Sequence, residues 1–166
     1  MASGDSLCYF KPAMGEPPAS NYATLDTRNT ALVLDFDDTT DETIYFRGYM
    51  PLHYDGGGVT VSVRWAATSA TSGTISLDVA FMSITDDADD IDTKAFAAVN
   101  NVNPTAASAS GEADYVDITF TDGADMDSVA AGEEFWLKVT RDADGTTSTD
   151  NMTGDMELLG IAIKET

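Results

Sequence analysis

Cysteine and histidine are almost missing from this 166-residue chain, which has one of each, Cys8 and His53. A single cysteine excludes an intrachain disulfide and any cysteine-based zinc site. Positive charge is scarce as well: eight Lys and Arg stand against 29 Asp and Glu, a formal net charge of −21. Nucleic acids and anionic membranes are gripped largely through Lys and Arg, so neither is expected as a direct partner. No apolar run reaches the roughly 18 residues that a spanning helix needs, and no charged-then-apolar leader opens the sequence. The expectation is one acidic domain, since about 150 residues is typical of one and this length can bury roughly 70% of its unfolded surface.

The acids that are present are of one kind. There are 22 Asp but 7 Glu, with 21 Thr and only 4 Lys. Asp and Thr are indifferent helix formers, and the Glu and Lys that usually coat exposed helices are few. Thr suits a strand, where its branched Cβ fits the pleat. The surface is written in strand and turn residues.

Periodicity agrees from residue 30 onward. Val59, Val61, Val63 and Trp65 alternate with Thr60, Ser62 and Arg64. Ile75, Leu77, Val79 and Phe81 follow the same rule, as do Val116, Ile118 and Phe120. Phe135, Leu137 and Val139 alternate with Trp136, Lys138 and Thr140. Strict alternation marks strands with one buried face. Adding 31–34, 43–47, a weaker stretch over 94–102 and 156–163 gives about eight strands. The expected fold is an all-β, antiparallel, jelly-roll-like β-sandwich over residues 30–166. Residues 125–131 are expected to form one short helical turn ahead of Gly132. Trp65 lies on the apolar side of its strand and is read as core; Trp136 lies on the polar side, where an outward Trp marks an interface.

Residues 1–29 read differently. Three of the five prolines, Pro12, Pro17 and Pro18, fall here without any period. Proline fixes φ and lacks an N–H, so this stretch is expected as an extended N-terminal arm. It would dock on its own domain or on a neighbour through Tyr9, Phe10 and Tyr22, with Lys11 and Arg28 meeting carboxylates. Deleting residues 2–24 is expected to spare the sandwich.

Motifs for chemistry are weak. Leu34-Asp35-Phe36-Asp37-Asp38-Thr39 has the DxDxT form of the haloacid dehalogenase phosphatases, but the next segment reads as a strand where that family needs a helix. The runs Asp86–Asp92 and Asp142–Gly145 resemble pieces of calcium loops without completing one, and turns capped by Asp side chains explain them equally. His53 stands in a loop beside no nucleophile elbow. No enzyme, no catalytic residue and no cofactor are expected, and whether an acidic loop takes calcium stays open.

Three stretches resemble a family of small proteins encoded by tailed phages and prophages: Glu16 to Asn21, Ala23 to Asn29 and Leu34 to Glu42. Asp55 to Val61 and Val139 to Asp144 are similar too. The resemblance implies a structural β-sandwich of the virion. Its preferred form is a capsid decoration (cement) protein, a homotrimer bound to the major capsid protein on the outside of the head after synthesis in the host cytoplasm. The alternative is a tail- or fibre-associated module that binds host surface glycan. The expected interface residues are Tyr9, Phe10, Lys11, Tyr22, Arg28 and Trp136.

Overall fold

The computed structural model describes residues 4–166, which form ten strands in two antiparallel sheets. They are β1 Ser6–Phe10, β2 Thr24–Arg28, β3 Ala31–Phe36, β4 Glu42–Tyr49, β5 Val59–Ala67, β6 Leu77–Ile84, β7 Asn100–Val102, β8 Asp114–Phe120, β9 Glu134–Arg141 and β10 Met156–Glu165. One sheet runs β2-β3-β10-β5-β8, with β1 added beside β10; the other runs β4-β9-β6-β7. Helix is confined to two 3-10 turns, Pro12–Met14 and Ala124–Met126. The second replaces the turn expected over 125–131, because Asp127 and Ser128 adopt positive φ and stop it.

The alternating residues face one another across the sandwich. Val59, Val61, Val63 and Trp65 of β5 meet Leu77, Val79 and Phe81 of β6 and Phe135, Leu137 and Val139 of β9, all buried. The rings of Phe81 and Phe120 cross at 4.9 Å and 81°, joining the two sheets edge to face. A bulge at Leu159 lets both Leu158 and Ile161 of β10 point inward despite their odd spacing. The strand expected over 94–102 shrinks to Asn100–Val102, since only its end pairs with β6.

The stretch expected as an arm docks on its own domain and supplies the two strands that raise eight to ten. β1 pairs with β10, and β2 pairs with β3 through a two-residue turn at Asn29 and Thr30. Asn29 takes φ 56° there, a conformation that favours Asn or Gly. The boundary placed after residue 29 is thus the tip of a hairpin. β2 is exposed along nearly its whole length and carries no apolar alternation to announce it. Phe10 is the anchor: it is 3% exposed and its ring lies 5.5 Å from Phe46 and 6.1 Å from Phe135. Gly48 makes the room, because a Cβ there would lie 2.9 Å from the Phe10 ring. Removing residues 2–24 therefore removes a sheet strand and a core phenylalanine, and the sandwich is not spared.

One charged side chain continues the inward pattern of β9. Arg141 follows Phe135, Leu137 and Val139 and is fully buried. All five of its N–H groups are used: Nε and Nη2 donate to Asp150 at 2.9 and 3.0 Å, Nη1 to the carbonyls of Phe36 and Gly154, and Nη2 also to that of Met152. The Asp150 carboxylate is itself only 2% exposed. Taking away one partner of a buried, fully bonded pair leaves a bare charge in low dielectric. Arg141→Leu is expected to cost about 3–5 kcal/mol in urea unfolding. A loss under about 1 kcal/mol would show that this end of the sandwich does not depend on the pair.

Candidate functional site

The outer face of the four-stranded sheet gathers large side chains that the core does not use. Register places them in rows across β4, β9 and β6: Tyr49–Glu134–Ile84, Arg47–Trp136–Met82, Tyr45–Lys138–Ala80 and Thr43–Thr140–Asp78. Alternate residues share a face, so successive rows stand about 7 Å apart. The inward residues between them, such as Phe46 and Leu137, are buried in the core.

The contacts on this face are specific. The rings of Tyr45 and Phe96 stack at 5.6 Å and 12°, and Tyr45 lies 6.5 Å from Trp136. The Arg47 guanidinium sits 5.2 Å from the centre of the Trp136 ring, and the Lys138 ammonium 5.4 Å from that of Phe96. Glu16, from the chain ahead of β2, grips Arg47 with both oxygens, at 2.7 and 2.6 Å. Glu134 accepts from the Trp136 indole N–H at 3.0 Å and from the Tyr49 hydroxyl at 3.3 Å. Beyond Tyr49, which is 67% exposed, an open depression of about 370 Å³ is bordered by Thr85, Asp86, Glu133 and Glu134. Aromatic faces, a fixed guanidinium and carboxylate acceptors lie within one strip.

Acidic clusters occur elsewhere. Asp37, Asp38 and Asp155 bring one oxygen each within 4.8 Å of one another, as do Asp41, Asp142 and Asp144. These oxygens have protein donors: Asp37 takes the N–H groups of Thr39 and Thr40, and Asp38 that of Gly154. Burial acts to raise the Asp142 carboxyl, but bonds from Thr147, Thr146 and Ser76 outweigh it and bring it down to about 2. In the 86–92 run, Asp89 accepts from Thr85 and Lys94, and Asp90 from the Asp92 N–H. That is turn capping by aspartate.

The six residues expected at an interface do not come together. Phe10 is core, and Arg28 is tied to Glu157 at 2.6 Å. Tyr22 is exposed beside an apolar hollow of about 190 Å³ that Pro12, Pro17 and Leu25 also line. Tyr9 and Lys11 border another depression on the far side of the Pro12–Met14 turn. Only Trp136 belongs to the aromatic strip. Tyr45, Arg47, Tyr49, Phe96, Lys138 and Glu134 were not singled out. Tyr45 and Arg47 sit on the polar side of an alternating strand, which is a signal; Phe96 arrives from a loop, which is not.

No protein-family model matches the chain, and no curated protein resembles it in sequence. Among solved structures it is similar to an isomalto-dextranase of Arthrobacter globiformis T6 complexed with panose, at 13% identity and a TM-score of 0.59. That likeness covers 95% of this chain and 23% of the other, so the chain spans about a quarter of that enzyme's length. A family 11 carbohydrate-binding module of Clostridium thermocellum, in complex with a mixed-linked tetrasaccharide, shares 9% identity with a TM-score of 0.51 over 99% of this chain and 98% of that one. The CBM22-1 xylan-binding domain of Paenibacillus barcinonensis shares 12% identity, with a TM-score of 0.50 over 99% and 96%. At such identity the likeness establishes the fold, a jelly-roll β-sandwich.

The phosphatase-like pair is also resolved by its surroundings. Asp37 caps a turn, while Asp35 lies on the outside of β3 in register with Glu157, one of its oxygens buried without a hydrogen-bond partner. Burial first, and then the charges of Glu157, Asp26 and Asp155, push the Asp35 carboxyl up to about 6. A carboxyl raised by folding stabilises the fold fully below its ordinary range near pH 4 and loses that contribution as pH rises through 6. Asp35→Asn is therefore expected to match the parent in thermal unfolding near pH 4 and to exceed it at pH 7 and above. A difference that does not change with pH would show that folding does not raise the Asp35 carboxyl.

Proposed function

We propose that this chain is a non-catalytic β-sandwich module that binds glycan on the outer face of its four-stranded sheet. The observation that carries this reading is the strip in which Tyr45, then Trp136 with the Arg47 guanidinium, then the Glu134 carboxylate stand in successive rows. A sugar ring has an apolar C–H face and a rim of hydroxyls. The aromatic rings offer the first a flat apolar partner; guanidinium and carboxylate offer the second a donor and an acceptor. Glu16 holds Arg47, and Glu134 holds Trp136, so these groups lose little freedom when a ligand arrives.

The fold likeness supports this direction, since its neighbours include modules and an enzyme with bound saccharides. It lends no support to a capsid-cement trimer. Joined to the resemblance to tailed-phage proteins, the reading is a tail- or fibre-associated module that attaches to host surface glycan.

Binding to a panel of neutral polysaccharides by affinity electrophoresis and calorimetry tests the proposal. Trp136→Ala and Tyr45→Ala are each expected to weaken the bound member at least tenfold, about 1.4 kcal/mol, with the thermal unfolding transition kept cooperative. Binding to none of the panel, or binding indifferent to both substitutions, would overturn it.

A further inference from the structure

The outer face of the six-stranded sheet carries a separate set of exposed rings. Here the rows across β10, β5 and β8 are Gly160–Arg64–Tyr115 and Ala162–Ser62–Asp117, with Tyr9 of β1 beside Ala162. Tyr9 is 56% and Tyr115 62% exposed. The Tyr9 ring leans across β10 onto Gly160, where a Cβ would meet its hydroxyl at 2.7 Å. Arg64 lies over Tyr115 at 5.4 Å. Between the two tyrosines lie the small residues Gly160, Ala162 and Ser62, with the Tyr9 ring over Gly160, Arg64 beside Tyr115 and the Lys164 ammonium reaching Ser62. Three strand spacings and an offset of one row put the tyrosine backbones about 16 Å apart, a shallow trough with an aromatic ring at each side.

Charge distinguishes this trough from the rest of the molecule. Of the eight Lys and Arg, Arg28, Arg47, Lys94 and Arg141 are held in ion pairs. Arg64, Lys164, Lys11 and Lys138 have no carboxylate partner among the described residues; the first three stand on or beside this trough, and Lys138 is on the opposite face over Phe96. Lys164 spans to the Ser62 hydroxyl at 3.2 Å, and Lys11 flanks Tyr9. The acid beside the trough is Asp117, which accepts from Ser62; the other acids of this face, Asp26, Asp35 and Glu157, lie toward its β2–β3 side, where Arg28 pairs with Glu157. Around the trough itself three cations stand against Asp117, a local excess of positive charge in a chain with 29 acids.

We infer that this trough binds a polysaccharide of carboxylated sugars, its rings against Tyr9 and Tyr115 and its carboxylates on Arg64 and Lys164. The net charge of −21 does not forbid it. At physiological salt, screening acts over about 8 Å, so a chain lying in the trough feels the cations beside it more than distant acids. Duplex DNA carries a charge every 1.7 Å or so and would bring many phosphates against the acidic surroundings. A sugar acid polymer carries one charge per ring and can match a few fixed cations. The inference does not rest on the site proposed above, which lies on the opposite face and uses different residues.

The test uses the whole chain with polygalacturonate and its methyl ester, which share the ring and differ in charge, by calorimetry in 0.15 M salt. Polygalacturonate is expected to bind at least tenfold more tightly than the ester. Arg64→Gln, Tyr115→Ala and Gly160→Ala, the last displacing the Tyr9 ring, should each lose at least fivefold, while Trp136→Ala leaves the affinity unchanged. No binding, or equal binding of acid and ester, overturns the inference. Polyglutamate binding as tightly as polygalacturonate also overturns it, because charge without a sugar ring would then suffice. A loss that follows Trp136 and not Arg64 would move the acidic sugar to the other face. Failure of the neutral panel would leave this test untouched.

Discussion

Arg141 closes one end of the sandwich. Its guanidinium belongs to β9 of the smaller sheet, yet it donates to Phe36 at the end of β3 in the larger one and to Met152 and Gly154 on the approach to β10. With Asp150 it occupies every donor it has, so a charge that would be costly alone becomes a clamp between sheets. β9 is held along its length by its ladders with β4 and β6, and Arg141 ties its end to the other sheet. β9 is also the strand that presents Glu134, Trp136 and Lys138 outward, so the aromatic strip and the buried clamp share one strand.

Both outer faces obey one rule. Period-2 alternation sends apolar side chains to the core and leaves the other set to solvent, and here that set includes rings that solvent exposure alone does not favour. On the smaller sheet the rings are held by neighbours, Trp136 by Glu134 and Arg47, and Tyr45 by stacking on Phe96. On the larger sheet Tyr9 and Tyr115 stand apart, with small residues between them. One arrangement is a fitted surface and the other an open trough, and they suit ligands of different charge.

The acidic composition acts mostly away from both faces. Aspartate caps the turns at 37–40, 85–92 and 142–147, where its short carboxylate reaches backbone N–H groups one to five residues along. Glutamate serves in the same way at Glu42, Glu112 and Glu133. The few cations are divided between structural pairs and the two faces.

Alternation in 59–65, 75–81, 116–120 and 135–139 was enough to determine an antiparallel sandwich, the inward Trp65 and the outward Trp136, because a half-buried strand can satisfy its hydrophobic side in one way only. The hairpin at Asn29 and the docking of Phe10 over Gly48 were not legible: β2 buries neither face, and the contact joins residues 38 positions apart. Arg141 could have been noticed as a charge in an apolar phase, but its partners come from two separate stretches, Phe36 and residues 150–154. The candidate sites were the least legible part. Tyr45, Phe96 and Trp136, or Tyr9, Gly160 and Tyr115, share no local pattern, and strand order and register alone decide which of them meet.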